Sequence, residues 1–314
     1  MTSREWFVQR LIDLKIGAMF LTRLPVPHSE PVASGALSRA RWTAPLIGAA
    51  VGTLGAVVYA VAHAAHLPPV LAATLAIAAT AVVTGCLHED GLADVADGFG
   101  GGATRERKLE IMRDSRIGTY GVFALLLSVL LRIGALTSLA DPVSVATALL
   151  CAHAAARAGL PALMKLVPAA RTDGMSAHAG TPPDESVIAA ALLGVGALVA
   201  GLGIAATLAA LALLAAALWF VARLSKHQIG GQTGDVLGAF EQAGEIIVLL
   251  VAVAASSWSA PAQQIRVHDP AVPAARLASY PLDLLRAVPQ PSRHHNFIGR
   301  ADIGPPVDLH IVLD

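Results

Sequence analysis

Long apolar stretches separated by short polar islands fill most of this chain. Near residues 43–63, 67–87, 119–140, 143–166, 187–205, 207–222 and 236–255, Ala, Leu, Val and Gly dominate. Each stretch approaches the ~20 residues that a helix needs to cross a bilayer. The pattern predicts an all-α fold, a polytopic transmembrane helix bundle of about seven spans. The stretch 187–221 is the hardest to divide. Its roughly 35 residues leave room for a tight two-helix hairpin.

Ahead of the spans, Trp6 to Arg23 alternates apolar and charged residues at a roughly helical period. Such a segment can lie flat at the membrane interface or pack on the bundle as an ordinary amphipathic helix. We expect an N-terminal interfacial helix, followed by a polar linker over Pro25 to Arg41. From Ser256 the periodicity stops. Residues 256–314 are Pro-rich and expected to be poorly ordered, and His294 and His295 read as a solvated pair. Residues 1–255 are then the membrane-embedded catalytic domain.

Charge orients the bundle. Arg4 to Arg41, Arg105 to Arg116, Lys165 with Arg171, and Arg223 with Lys226 all fall on one side of a seven-span chain. That side should be cytoplasmic. Only 14% of residues are charged and 55% are hydrophobic, whereas a soluble domain carries about 25% charge. The net charge is zero, so nucleic acid is not an expected partner, and the lipid bilayer is. Cys86 and Cys151 sit in apolar stretches without a CxxC partner and read as small buried hydrophobes. Arg10, Asp13 and Lys15 interrupt the first apolar run, so no cleavable signal peptide is expected.

Chemistry concentrates in His88 to Gly102, HEDGLADVADGFGGG. Asp90, Asp94 and Asp97 are four and three residues apart, which puts them on one helix face with Glu89 just off it. Like charges so close repel one another and are costly to desolvate near a bilayer. A divalent cation removes both problems, so Glu89, Asp90, Asp94 and Asp97 are candidate Mg2+ ligands. Glycines at 100, 101 and 102 (Gly100, Gly101, Gly102) could let backbone N–H groups approach a phosphate, or could simply end the helix. Arg107, Lys108, Arg113 and Arg116 follow and could clamp phosphate oxygens, or anchor the cytoplasmic face.

A second island, KHQIGGQTGD from Lys226 to Asp235, offers Thr233 and Asp235 for phosphate or ribose recognition; a plain inter-helix loop is the alternative. A third, Arg171 to His178, is shorter and less telling. Arg132, Arg157, Glu241 and Glu245 fall inside expected spans and must pair or line a cavity. Their pairing is not readable from the sequence.

Carboxylates, a divalent metal and arginines favour reactions at a phosphoryl centre. No P-loop and no GxSxG elbow is present. Transfer of a phosphoryl-bearing group from a nucleotide-activated donor to an alcohol fits. Asp97, next to the glycine loop, is the first candidate for the catalytic base, and His88 the second. The rivals are a secondary transporter and a CDP-alcohol phosphotransferase-like lipid enzyme. No internal repeat supports the transporter.

HEDGLADVADGFGGG followed by RERKLEIMRDSRIGTYGV resembles the cobalamin synthase family, the adenosylcobinamide-GDP ribazoletransferases. FLTRLPVP (Phe20 to Pro27) and GGQTGDVLGA (Gly230 to Ala239) resemble it too, so the likeness covers roughly residues 5 to 255. It implies a magnesium-dependent enzyme of the bacterial cytoplasmic (inner) membrane, with its active site on the cytoplasmic side. The donor would be adenosylcobinamide-GDP and the acceptor α-ribazole or its 5′-phosphate. The products would be adenosylcobalamin or its 5′-phosphate, and GMP. By position, Glu89, Asp90, Asp94 and Asp97 match the family's acidic motif, and Arg113 to Arg116 its Arg-Asp-Ser-Arg stretch. The tail departs from the family, and a homo-oligomer is open.

Overall fold

The computed structural model describes residues 2–27, 35–172, 174 and 179–259. Residues 260–314 of the expected tail, with His294 and His295, residues 28–34 of the linker and most of the third island lie outside the described residues. The described chain is helical, with one isolated bridge between Ala169 and Gln232. Its helices are α1 (Ser3–Leu21), α2 (Ala36–Arg39), α3 (Ala44–Ala64), α4 (Pro69–Thr84), α5 (Leu87–Gly101) and α6 (Arg105–Ile111). They continue with α7 (Thr119–Leu139), α8 (Pro142–Ala158), α9 (Leu160–Leu166), α10 (Asp184–Ile229) and α11 (Gly234–Ser259).

Helix α1 starts on a capping box, in which Thr2 and Glu5 satisfy each other's backbone N–H groups. It buries Asp13, Ile16, Gly17 and Leu21 and leaves Trp6, Phe7, Leu11 and Ile12 exposed, as an interfacial helix would. Asp13 is fully buried, and Trp42 Nε1 donates to it at 2.9 Å.

Small residues let the bundle close up. Gly48 and Gly52 of α3 abut the backbone at His153 and Leu149 of α8, and Gly194 of α10 meets Ala158. An apolar core of Tyr59, Ala76, Leu136, Leu149, Leu198 and Leu249 ties α3, α4, α7, α8, α10 and α11 together. Val57, Val82, Phe123, Leu130, Leu192 and Trp219 face outward, which is the inverse of a soluble domain and suits lipid.

Among the described residues, five helices are long and apolar enough to cross a membrane, or six if α4 and α5 form one broken span, against the expected seven. The difference lies in 184–229, a helical run of 46 residues that a kink divides into two helices, as expected. Its backbone breaks at Gly203, whose φ of 75° and ψ of 175° are closed to most other residues. Gly194, Val195 and Leu198 before the break line the same small cavity as Leu211, Leu214 and Leu218 after it. The two limbs therefore fold back on each other at Gly203.

Between α4 and α5, Gly85 and Cys86 both adopt left-handed backbone, with φ of 66° and 56°. These two residues turn the chain by 89°. The turn carries the acidic segment off the end of an apolar helix and lays it against α7 and α11.

Candidate active site

The acidic helix α5 forms one wall of a cavity of about 750 Å3. Cys86, Glu89, Asp90, Ala93 and Asp94 line it from α5 and the preceding turn. Arg113, Asp114, Ser115 and Arg116, in the loop between α6 and α7, close the mouth. Thr74, Ile77, Ala78 and Ala81 of α4, with Leu125, Val129 and Ile133 of α7, supply an apolar wall, and Arg132 sits beside them. Glu89, Asp90, Asp94, Arg113 and Arg116, separated by up to 27 positions, are thus brought together.

Asp94 is half-buried, and among the described residues no hydrogen bond reaches its carboxylate. The charges that act on it are first Asp235, then Asp90 and Asp97, opposed by Arg171. Asp235 opens α11. It accepts from Thr233 Oγ1 at 3.0 Å and lies 3.7 Å from Arg171 Nη2. Thr233 also caps α11 by accepting from Val236 N at 3.4 Å. The tight approach of α5 to α11 at Gly91, where a Cβ would strike the Asp235 backbone, brings these carboxylates together. Expected as a phosphate or ribose contact, Asp235 instead joins the acidic group.

Other expected residues are engaged elsewhere. Asp97 is buried, accepting from Gly118 N at 2.7 Å and Gly121 N at 2.9 Å. It caps the first turn of α7, where two otherwise orphaned N–H groups and the helix dipole favour an anion. His88 is buried away from the cavity, 3.4 Å from Glu241 and 3.3 Å from Arg157. Neither side chain lines the cavity, because one holds α7 and the other sits in the bundle interior.

Gly100, Gly101 and Gly102 form the last turn of α5 and its cap, against Tyr120, Ile111 and Lys108. They admit α6 and α7 at close range and do not line the cavity. Arg107 pairs with Glu110 at 2.7 Å on the surface, and Lys108 donates to Gln228. Arg105 ties α6 to the loops of the second and third islands, donating to Ile229 and Ala170 carbonyls at 2.8 Å each.

Arg116 is exposed and chelates Asp114, with Nη2 2.5 Å from Oδ2. That pairing holds the Asp114 carboxyl down at about 2 and raises Arg116. The mouth loop therefore stays charged across the physiological range.

The four intramembrane charges pair as follows. Arg157 Nη1 lies 2.5 Å from Glu241 and 2.9 Å from Glu245. Arg132 Nη1 lies 3.3 Å from Glu245 and 3.1 Å from Glu89. His153, which drew no attention in the sequence, contacts Glu245, and Ser128 donates to Gln242 at 3.0 Å. Among the described residues, only His153, Glu241 and Glu245 bring three possible metal-ligand atoms within 4.8 Å of one another. Arginines already neutralise that trio, so we do not read it as the metal site. Among the described residues, Asp90, Asp94 and Asp235 have no arginine partner but Arg171, and hard carboxylate oxygens suit magnesium. Magnesium commonly takes only one or two carboxylates and completes its shell with substrate phosphates and water.

Fold and cavity together define the class, an α-helical membrane protein with a cavity lined by carboxylates and arginines. A family model described as cobalamin-5-phosphate synthase matches residues 13–253, and the chain belongs to that family. An adenosylcobinamide-GDP ribazoletransferase of Bradyrhizobium diazoefficiens is 59% identical over 244 residues, 78% of this chain and 94% of the relative. One from Mesorhizobium japonicum is 51% identical over 249 residues, 79% and 95% of the two chains. One from Brucella ovis is 40% identical over 240 residues, 74% and 92%. No solved structure matches.

Proposed function

We propose that this protein transfers the adenosylcobinamide phosphate moiety of adenosylcobinamide-GDP to α-ribazole or α-ribazole 5′-phosphate, releasing GMP. The observation that carries the reading is the cavity that joins Asp90 and Asp94 to Arg113 and Arg116, in a chain of this family. The lipid-enzyme and transporter rivals have no comparable support.

Asp94 and Asp235 are the carboxylates that would hold magnesium, with the donor's diphosphate completing the shell. Bound there, the ion would polarise the diphosphate and offset charge on the departing nucleoside monophosphate. Arg113 and Arg116 orient the phosphate oxygens at the mouth. Asp90, the most exposed of the three acids, accepts the proton of the attacking hydroxyl. The apolar wall of Ala78, Ala81, Leu125 and Val129 suits the flat aromatic base of the acceptor. The site opens on the cytoplasmic side of a bacterial inner membrane, where Arg105, Arg107, Lys108, Arg171 and Lys226 gather.

The test is an assay of membranes holding the protein, supplied with adenosylcobinamide-GDP, α-ribazole 5′-phosphate and magnesium, following GMP and corrinoid product. Metal-dependent product, absent in Asp94→Ala, supports the reading. CMP release from a cytidine donor, with no reaction of the guanosine one, would replace it with the lipid-enzyme reading.

A further inference from the structure

Two arginines are buried among the bundle's carboxylates, and they differ in what their guanidinium groups still offer. Arg157 is enclosed: Nη1 faces Glu241, Glu245 and His153, Nη2 faces His88, and only Nε lacks a partner among the described residues, which leaves no two-donor edge. It does not line the cavity. Arg132, 1% exposed, does line it, beside Glu89, Cys86 and Ile133. All of its pairing runs through one nitrogen, Nη1, to Glu89 and Glu245. Its Nε and Nη2 have no partner among the described residues. Buried donors are normally satisfied, so an orphaned pair on one guanidinium at a cavity wall points to a ligand that supplies the acceptors. Nε and Nη2 are adjacent and form the fork that binds two oxygens of a phosphate.

We propose that Arg132 binds phosphoryl oxygens of the diphosphate-bearing donor at the membrane end of the cavity, opposite the Arg113–Arg116 mouth. The inference rests on the proposed phosphoryl-transfer reading. Glu89 and Glu245 are then positioning residues. Each holds Nη1 from a different helix, α5 and α11, and so fixes where the free edge points. Gln242 Nε2, 3.4 Å from Glu89 Oε1, supports the same carboxylate. Glu89 therefore acts on the substrate through Arg132 and not as a metal ligand.

The experiment uses full-length protein in detergent, with inorganic pyrophosphate and GDP as probes and steady-state assays alongside. Arg132→Lys keeps the charge for Glu89 and Glu245 but loses the fork. We expect its unfolding midpoint to stay close to that of wild type. We expect affinity for both probes to fall about tenfold and the KM for the donor to rise in step, with the acceptor KM unchanged. Glu89→Gln should weaken the same probes less, without changing the magnesium concentration that gives half-maximal rate. Unchanged probe binding and donor KM in a folded Arg132→Lys would overturn the proposal. So would equal rises in both KM values, the signature of a general packing defect. If wild type fails to turn over adenosylcobinamide-GDP, the functional reading falls, while the pyrophosphate titration still decides whether Arg132 binds phosphate. Should Arg132→Lys unfold, the Glu89→Gln magnesium dependence decides alone, and a shifted requirement sinks the proposal.

Discussion

Glu241 and Glu245 on α11 lie within reach of Arg157, Arg132, His88 and His153. At the other end of the same α5–α11 contact, Asp94 faces the negative charges of Asp235, Asp90 and Asp97 with Arg171 opposed, and Asp235 is held by Thr233 and Arg171 against Asp90. Both regions are built on carboxylates, and their electrostatics are opposite. The buried set is matched by the chain's own cations, and the cavity set is left short of them. His153, Glu241 and Glu245 of the first set lie at ligand-like spacing, because ion pairs also draw such atoms together. Unmatched charge beside a cavity is the better guide to a site, and matched charge to a scaffold.

The largest effect should come from unmatching the scaffold. Arg157→Met leaves Glu241 and Glu245 facing each other in the bundle interior. Removing one partner of a buried pair costs about 3–5 kcal/mol, so chemical unfolding in detergent should show a loss of that order. Arg157→Met combined with Glu241→Leu should recover part of it, since both partners of the closest pair become apolar while Glu245 keeps Arg132 and His153. A fully stable Arg157→Met would erase the distinction between the two regions.

The converse change relieves the cavity set. Asp94→Asn should cut turnover about a hundredfold or more, ~3 kcal/mol on the barrier, with unchanged or slightly raised stability. Magnesium sharpens the contrast. A bound ion at a hundred times its dissociation constant stabilises a protein by about 2.7 kcal/mol. Added magnesium should raise the unfolding midpoint of wild type, chelator should reverse the gain, and Asp94→Asn should show neither. Equal stabilisation of the mutant would move the ion away from Asp94.

The sequence revealed these two regions unequally. Apolar runs of about one bilayer thickness made the helices legible, and the four-and-three spacing of Asp90, Asp94 and Asp97 made the acidic face legible. The partners were not. Asp97 shares the face of Asp94, but the close approach of Gly118 and Gly121 turns it into a cap for α7. Nothing local to the motif encodes that contact, which depends on where a helix twenty residues later begins. The glycine run left phosphate contact and a helix end equally open; its backbone is the last helical turn and cap, and its missing side chains admit α6 and α7. Asp235 carried a local hint, a Thr-Gly-Asp helix start, but its place beside Asp94 follows from the α5–α11 packing at Gly91. The two-helix hairpin expected over 187–221 was legible from the length of its apolar run, but its turning residue, Gly203, was not, because glycine in such a run also serves helix packing.

Asp97 gives the next prediction, because it belongs to neither region cleanly. Its charge is one of those acting on Asp94, yet both of its oxygens are taken by α7. Asp97→Asn removes the anion from a helix N-terminus and one of the two acceptors. The expected loss is about 1–2 kcal/mol of stability. Turnover should stay within a few-fold of wild type, with the pH profile of kcat unmoved. A large loss of kcat with a displaced acid limb would return Asp97 to the role of base.

The smallest effects separate the arginines outside the bundle. Arg107 and Glu110 form a pair with side chains 58% and 69% exposed, a class that contributes ~0–1 kcal/mol. Arg107→Ala should leave stability, turnover and donor KM unchanged within error. Arg116, equally on the surface, lines the cavity mouth beside Asp114. Because Arg116 holds the Asp114 carboxyl near 2, the pair is intact above the ordinary carboxylate range and breaks only as pH falls towards 2. Acid in the physiological range therefore cannot free Arg116, whereas a phosphate competing with Asp114 can. Arg116→Ala should raise the donor KM several-fold with little change in stability. If Arg107→Ala and Arg116→Ala raised it equally, the mouth would act as a diffuse positive field, and the specific part of donor recognition would fall to the residues deeper in the cavity.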